Sequence, residues 1–392
     1  MERCDVLVVG GGLAGLSCAR GLAAAGARTI LIDQKRRLGE RIHTTGIFVR
    51  RTLEDFALPE GCLGPAVSDV VLYSPRRRRL ALSSPHAEFR VGHMGALYER
   101  MRDRASAAGA EVRTGQRFVA ARPVPAGVAV ELAGGRQVQA RFVVGADGAR
   151  SPVAGPLGLD RNRAFLIGAE DVLPSAQPGG QPVMHCFVDP ELAPGYLAWV
   201  VDDGEEAHVG VAGDPSRFRP LAALARFRDS LRGLVPLASG RIERRGGRIP
   251  VGGLLPRIAC ERGLLVGDAA GAVSPLTAGG LDPCLRQARL AVEVIRAWLG
   301  DGRREALEAY QAPALRRRFR GRMLMRLAFD RLHTRSAAEI AFAALRAPPL
   351  SPLAGRVLFG RGSFPDLSLD ALLAEVARPR LARLAAALPR PR

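Results

Sequence analysis

The chain has 392 residues, 47% of them hydrophobic, which suits two domains, or one large domain with an inserted layer, with substantial cores, so disorder is not the default expectation. Its formal net charge of +19 is almost wholly arginine, Lys35 being the only lysine, and no Lys/Arg tail, zinc-finger spacing or aromatic-basic repeat accompanies it. Nucleic acid is therefore not expected as a partner, while a generally basic surface suits phosphates or an anionic membrane.

The opening residues predict one βαβ unit: a strand over 5–9, a glycine turn over 10–12, a helix over 13–25 closed by Gly26, a strand over 28–32, and then Asp33. The first strand leaves no room for a signal peptide, so export by that route is not expected. In Gly10-Gly-Gly12-Leu13-Ala14-Gly15 the glycine spacing permits a tight turn, close approach of backbone to a pyrophosphate, and close helix–strand packing. Asp33 ends the second strand where a carboxylate accepts hydrogen bonds from a ribose diol, and Gln34 follows it in the expected cofactor set.

From residue 40 to about 92 the pattern is irregular, with short β-like runs at 67–73 and 79–82 around a basic turn at 75–79. A helix is expected over 95–108, alternating strands through 111–132, and a buried strand over 141–145. Residues 165–213 read as β, with strands at 183–188, 196–201 and 207–212, the last two joined by the turn 202–205. A strand over 263–266 leads into Gly267-Asp268, and a long helix is expected over 282–299.

The remainder is helical, basic and punctuated by proline. Its apolar stretch 340–360 is broken by Arg346, Pro348, Pro349 and Pro352, so no membrane-spanning helix is expected. The six cysteines (Cys4, Cys18, Cys62, Cys186, Cys260, Cys284) are scattered, with no Cys-x-x-Cys pair and no histidine at ligand spacing; a metal site is not expected, and a reducing cytoplasm is.

Two further motifs choose the dinucleotide. Val143-Val-Gly-Ala-Asp147-Gly148-Ala-Arg-Ser151 and Gly267-Asp268-Ala-Ala-Gly271, followed by Pro275 and Gly279-Gly280-Leu281, resemble the second and third fingerprints of para-hydroxybenzoate-hydroxylase-fold flavoproteins. The chemistry agrees, because a carboxylate at Asp268 can accept from the ribityl hydroxyls of FAD. With Asp282 as N-cap and Pro283 at the first helical position, the Gly279-Gly280 turn aims a positive helix end at a bound group, favouring the negative charge of reduced flavin.

Within that fold, residues 267–281 are most similar to the geranylgeranyl reductase family; aromatic hydroxylases usually place histidine where Gly271 stands. The resemblance implies an α/β protein with a Rossmann-type three-layer ββα FAD-binding domain built from residues 1–65, 93–165 and 256–300. It implies an inserted β-sheet substrate region from 66–92 and 166–255, and a helical C-terminal region over 301–392. It also implies that Arg41 reaches the FAD pyrophosphate, that Phe118 offers backbone groups to the adenine, that Asp147 joins the cofactor site, and that Tyr196, Trp199 and Pro275 line the substrate pocket.

Three departures stand out. Thr44-Thr45-Gly46 occupies the place of the family's Cys-Gly-Gly, His93-Met94 that of an arginine, and Tyr196-Leu-Ala-Trp199 that of a Tyr-x-Trp pair. On a regular strand Tyr196 and Trp199 point to opposite faces, so only one of them lines the pocket unless a bulge intervenes. The catalytic lysine of flavin-dependent halogenases has no counterpart, since Lys35 lies on the adenosine side. With no second strand-linked G-x-G-x-x-G, NAD(P)H would visit transiently or a protein donor would supply electrons.

The expected activity is hydride transfer from reduced flavin to a carbon–carbon double bond of a small hydrophobic substrate, isoprenoid or polyketide-like. A monooxygenase of the same fold and a non-catalytic flavin-binding partner protein are the alternatives. The catalytic acid is left unidentified, His43, His93 and His185 being possible proton donors that each read more readily as surface or core histidines, and Cys284 is read as buried and inert. In residues 315–332 an apolar stripe is expected to pack on the FAD domain with its arginines solvated; the alternative is rest on anionic lipid at the inner face of the membrane.

Overall fold

The structure, a computed structural model, describes residues 1–359 except 312, 348 and 349. The part of the expected helical region beyond 359 lies outside the described residues.

The opening strand, Glu2–Val9, runs parallel to Thr29–Asp33 on one side and to Gln137–Gly145 on the other. Gly263–Leu265 and Glu111–Thr114 extend this parallel set within an eight-stranded sheet. Because both faces are covered, these strands are near-continuous apolar runs. Val6, Val8 and Leu31 face the helices Leu13–Ala24, Met94–Ala107 and Leu281–Asp301. Leu7, Val9, Ile30 and Ile32 face the hairpin Phe118–Val124/Gly127–Leu132. The result is a three-layer ββα unit.

A seven-stranded sheet is inserted, in the order Glu243–Pro250, Phe165–Pro174, Glu206–Gly213, Ala198–Asp202, Val183–Phe187, Asp69–Tyr73, Arg79–Ser83. Helix Pro220–Ser230 covers one face, where Ala169, Leu173, Val200, Val209 and Val211 meet Ala223, Leu224 and Phe227. Strand alternation puts Glu170, Trp199, His208 and Arg245 on the other face. A third sheet joins Ile47–Val49, Phe89–Gly92 and Leu63–Val67, so it straddles the divisions expected near residues 65 and 92. Short helices from Arg304 onward complete the described chain.

Several local expectations are corrected. The run 67–73 breaks at Ser68, with Leu63–Val67 and Asp69–Tyr73 in different sheets. Glu243–Pro250 was hidden by its arginines and glycines, which show no apolar alternation. Residues 315–332 divide into Pro313–Arg317 and Arg320–Phe329. Leu315 and Phe319 pack into the core as expected, but the second half is inverted: Arg326 is buried while Leu324, Met325 and Leu327 are exposed. The inversion arises because the buried arginine donates to the Pro275 carbonyl and pairs with partly exposed Asp330.

Candidate functional site

Three turns meet at the C-terminal ends of the parallel strands, the usual ligand edge of such sheets. Gly10 leaves its strand at φ +111°, and a Cβ there would lie 2.2 Å from the Ala146 carbonyl oxygen. A Cβ on Gly15 would lie 1.9 Å from the Gly10 oxygen, so both glycines are required by the packing of the chain itself. Gly12 differs: a Cβ there meets nothing within 4 Å, and the helix it caps has no side-chain cap and no acidic residue in its first turn. Free N–H groups with an open approach, backed by buried Leu13 and Ala14, suit a diphosphate.

Beside them, Asp33 accepts hydrogen bonds from the N–H of Gly11 at 2.7 Å and of Lys35 at 2.7 Å. These orient its carboxylate and leave lone pairs for ribose hydroxyls. Gln34 and Arg41 are exposed, Arg41 with φ +48° and its carbonyl accepting from the Lys35 ammonium at 3.3 Å. Phe118 is buried at the start of the hairpin.

The second and third motifs are tied to the first. Asp147 accepts from the Val153 N–H at 2.9 Å, and its other oxygen is buried without a partner among the described residues. Burial raises its carboxyl above the usual range against hydrogen bonds from Val153 and Ser151. The Asn162 amide donates to Ala149 O at 3.0 Å and Asp268 O at 2.8 Å, joining the two motifs. Gly267, at φ +62°, lies so close that a Cβ would be 3.1 Å from that of Ala14, and its N–H donates to Gln287 at 2.8 Å. Neither Asn162 nor Gln287 carries a sequence signal, since each acts only through a distant backbone.

Asp268 is partly exposed, yet burial by the surrounding chain pushes its carboxyl up to about 6. A Cβ on neighbouring Gly280 would lie 3.3 Å from its Oδ1, whereas Gly279 opens outward with only Thr277 Oγ1 nearby. The open cradle at Gly12 and Gly279, the unpaired Asp147 oxygen and the desolvated Asp268 carboxylate fit FAD; residues 12–15 could hold its diphosphate, Asp33 its ribose, Asp268 its ribityl chain, and Gly280 and Leu281 its flavin ring.

The helix that starts there begins at Leu281 with Gly280 as its N-cap, so Asp282 is not the cap and Pro283 is third, not first. Asp282 instead accepts from Thr52 at 2.8 Å and from Arg286 at 2.9 Å. Burial raises the Cys284 thiol well above its usual range, which leaves it unreactive.

The loop 274–280 is held from the substrate side. The Tyr196 hydroxyl donates to Thr277 O at 2.6 Å, Arg326 to Pro275 O at 3.2 Å, and Arg322 to both Ser274 Oγ and Thr277 Oγ1 at 3.3 Å. Tyr196 precedes its strand, which starts at Ala198, so the expected division of Tyr196 and Trp199 between opposite faces does not hold. Both belong to one apolar cluster with Leu166, Ala212 and Val251; partly exposed Leu197, Trp199, Ile249 and Ala278 pack against it and bring sheet and loop together. Pro275 is buried and supports the loop from behind.

A polar network crosses the same sheet face. Buried Glu170 accepts from Thr45 Oγ1 and from Trp199 Nε1 at 3.1 Å, while His208 Nδ1 lies 3.3 Å and Arg245 3.7 Å from its Oε1. Burial alone would raise the Glu170 carboxyl; hydrogen bonds from His208 and Thr45 and the charge of Arg245 outweigh it and hold it low. Arg245 also donates to Thr44 O at 3.1 Å, so the Thr44-Thr45-Gly46 segment sits directly on the network. Tyr98 packs against the core of the FAD-side layer, and burial raises its phenol, with Cys284 and Asp268 adding to that and Arg245 opposing.

Of the histidines considered from sequence, His43 borders this network beside the strand that carries Arg245, while His93 and His185 lie elsewhere. His43 Nδ1 is 2.8 Å from Gly246 O and the ring is exposed, His93 pairs with Glu205 at 3.0 Å, and His185 is pushed down to about 4 by burial and by Arg79. Glu170 and His208 were missed because only strand pairing makes them neighbours. Among the described residues no group of His, Cys, Asp and Glu could hold a metal ion.

The FAD binding domain family matches residues 3–189. Digeranylgeranylglycerophospholipid reductase of Methanocaldococcus jannaschii is 28% identical over 334 residues, 78% of this chain and 81% of that protein. Digeranylgeranylglycerophospholipid reductase 1 of Methanopyrus kandleri is 31% identical over 309 residues, 74% of this chain and 80% of that protein. The crystal structure of a geranylgeranyl bacteriochlorophyll reductase-like protein from Thermoplasma acidophilum superposes with a TM-score of 0.79 over 98% of this chain and 99% of that one, at 20% identity, a likeness of fold.

Proposed function

The chain belongs to the geranylgeranyl reductase family of FAD-dependent oxidoreductases, and from that premise we propose that it reduces carbon–carbon double bonds in the prenyl chains of an isoprenoid lipid. The observation that carries the reading is the apolar strip of Leu197, Trp199, Ile249 and Ala278, which runs from the sheet to the loop beside Asp268 and Gly280. Such a surface suits an alkene chain and offers it little hydrogen bonding.

When bound, FAD supplies the hydride that one alkene carbon receives. The chain does the rest. The Gly12 turn and Asp33 anchor the cofactor, Asp268 orients it, and the loop 274–280, braced by Tyr196, Arg322 and Arg326, walls off water. Gly271 favours reduction over hydroxylation: at φ +73°, with a Cβ position 2.4 Å from Gly253 O, it leaves no place for the histidine of aromatic hydroxylases.

Prenyl lipids reside in membranes, and no helix among the described residues is long and apolar enough to cross one. Exposed Leu324, Met325 and Leu327, beside exposed Arg316, Arg320 and Arg331, suit peripheral contact with an anionic lipid surface. Electrons would come from transient NAD(P)H or a protein donor, as the sequence has one dinucleotide turn. The test is anaerobic mixing of the pre-reduced protein with a detergent-solubilised geranylgeranyl glycerophospholipid. Flavin re-oxidation with saturation of the lipid supports the reading; re-oxidation by O2 alone, with an oxygenated product, overturns it.

A further inference from the structure

Resting on that reading, we propose that Thr45, recharged through Glu170 and His208, delivers the proton that completes alkene reduction. Reduction of a double bond needs a hydride at one carbon and a proton at the other, and the apolar strip has no acid of its own. The polar network lies beside that strip and shares a residue with it: Trp199 packs in the apolar cluster by its ring and donates its N–H to Glu170.

The row across the sheet explains the placement. Arg245, Glu170, Gly210 and Trp199 are paired in register on neighbouring strands, and His208 stands two residues from Gly210 on the same face. Glu170 is 3% exposed and His208 1%, whereas Thr45, which donates to Glu170, is partly exposed. At the far end His208 Nε2 lies 3.6 Å from Glu206, which is itself partly exposed. One ring nitrogen faces each carboxylate, an arrangement that passes a proton from the Glu206 side to the Glu170 side. The groups facing Glu170 are thus Thr45, Trp199, His208 and Arg245, with Glu206 and Glu243 beyond them and Tyr98 on the cofactor side.

The step balances. The carbon–carbon π bond breaks, and its electron pair forms a C–H bond to the proton of the Thr45 hydroxyl while the hydride supplied by the reduced cofactor bonds the other carbon. At rest the Thr45 hydroxyl donates to the Glu170 carboxylate. A proton passed from His208 makes Glu170 the donor and frees the Thr45 O–H to turn toward the alkene. The O–H bond is thus remade from the Glu170 carboxyl as Thr45 gives up its own proton, and His208 is replenished from solvent past Glu206. Carbon is reduced and the flavin oxidised, with no further reagent.

The test uses the full-length protein with Thr45→Val, Thr45→Ser and Glu170→Gln, assayed with the geranylgeranyl glycerophospholipid. Thr45→Val is expected to lower kcat about 100-fold or more with little change in KM, and Thr45→Ser to restore it. A second readout is independent of turnover: in a Trp298→Phe background the emission of Trp199 should titrate with pH, and Glu170→Gln should abolish that titration. Retained kcat in Thr45→Val, failure of Thr45→Ser to rescue, or a Trp199 titration unaltered by Glu170→Gln would each overturn the relay while leaving the reductase reading intact. Wild-type protein that reduces no alkene would overturn both.

Discussion

The indole of Trp199 lies across Gly210, so close that a Cβ at Gly210 would sit 2.1 Å from the ring. Gly210 stands between Trp199 and Glu170 in the row crossing three strands, and its missing side chain lets the indole N–H reach Glu170 at 3.1 Å. Gly210→Ala should therefore displace the indole and destabilise the fold by ~1–3 kcal/mol, as overpacking does. Chemical denaturation and a red-shifted Trp199 emission measure both effects; a variant as stable as the wild type with unchanged emission would contradict the contact.

The first glycine turn separates packing from binding. Gly15→Ala places a Cβ 1.9 Å from Gly10 O and should compromise folding, whereas Gly12→Ala meets no protein atom within 4 Å. Gly12→Ala should give a folded protein with little FAD, read from circular dichroism and the visible spectrum. Full flavin occupancy in Gly12→Ala would place the diphosphate elsewhere.

Asp268 gives a pH dependence. Its carboxyl in the flavin-free fold is at about 6, against 3.8 unperturbed, so the fold prefers the neutral acid, and stability falls as pH rises through this window to neutrality. Ribityl hydroxyls donate to the charged form, so FAD affinity should weaken below about pH 6 by up to ~10-fold per unit. Asp268→Asn should raise the neutral-pH stability of the flavin-free protein and flatten that affinity profile. Isothermal titration across the window checks both, and a flat wild-type profile would remove Asp268 from the cofactor contact.

Gly271→His tests the boundary with the hydroxylases. The left-handed φ of +73° costs a non-glycine residue roughly 1–2 kcal/mol, before the clash with Gly253 O at 2.4 Å. Loss of soluble, flavin-bearing protein is the expected result. A well-folded yellow variant would show that this corner can relax.

Asn162 joins the second and third motifs through two carbonyls, Ala149 O and Asp268 O. Asn162→Ala should cost about 1–3 kcal/mol by leaving those acceptors unsatisfied, and should weaken FAD binding without touching the flavin. Unchanged flavin affinity would reduce Asn162 to a surface role.

What the sequence determined by itself is the FAD-binding fold and the three turns that would hold the cofactor. Gly10, Gly12, Gly15, Asp33, Asp147 and Asp268 each sit within a few residues of a strand end. Their chemistry follows from local spacing, and the parallel sheet brings the strand ends together in the only way its connections allow. The substrate side was decided by tertiary structure. Glu170, His208, Trp199 and Arg245 lie on four strands, and only pairing register makes them neighbours. Glu243–Pro250 has no alternation to announce it, Tyr196 leaves its strand to brace the loop at Thr277, and Arg326 turns inward because carbonyl and carboxylate partners await it. Local spacing writes a motif, but the choice of which side chain meets which across a sheet belongs to long-range pairing.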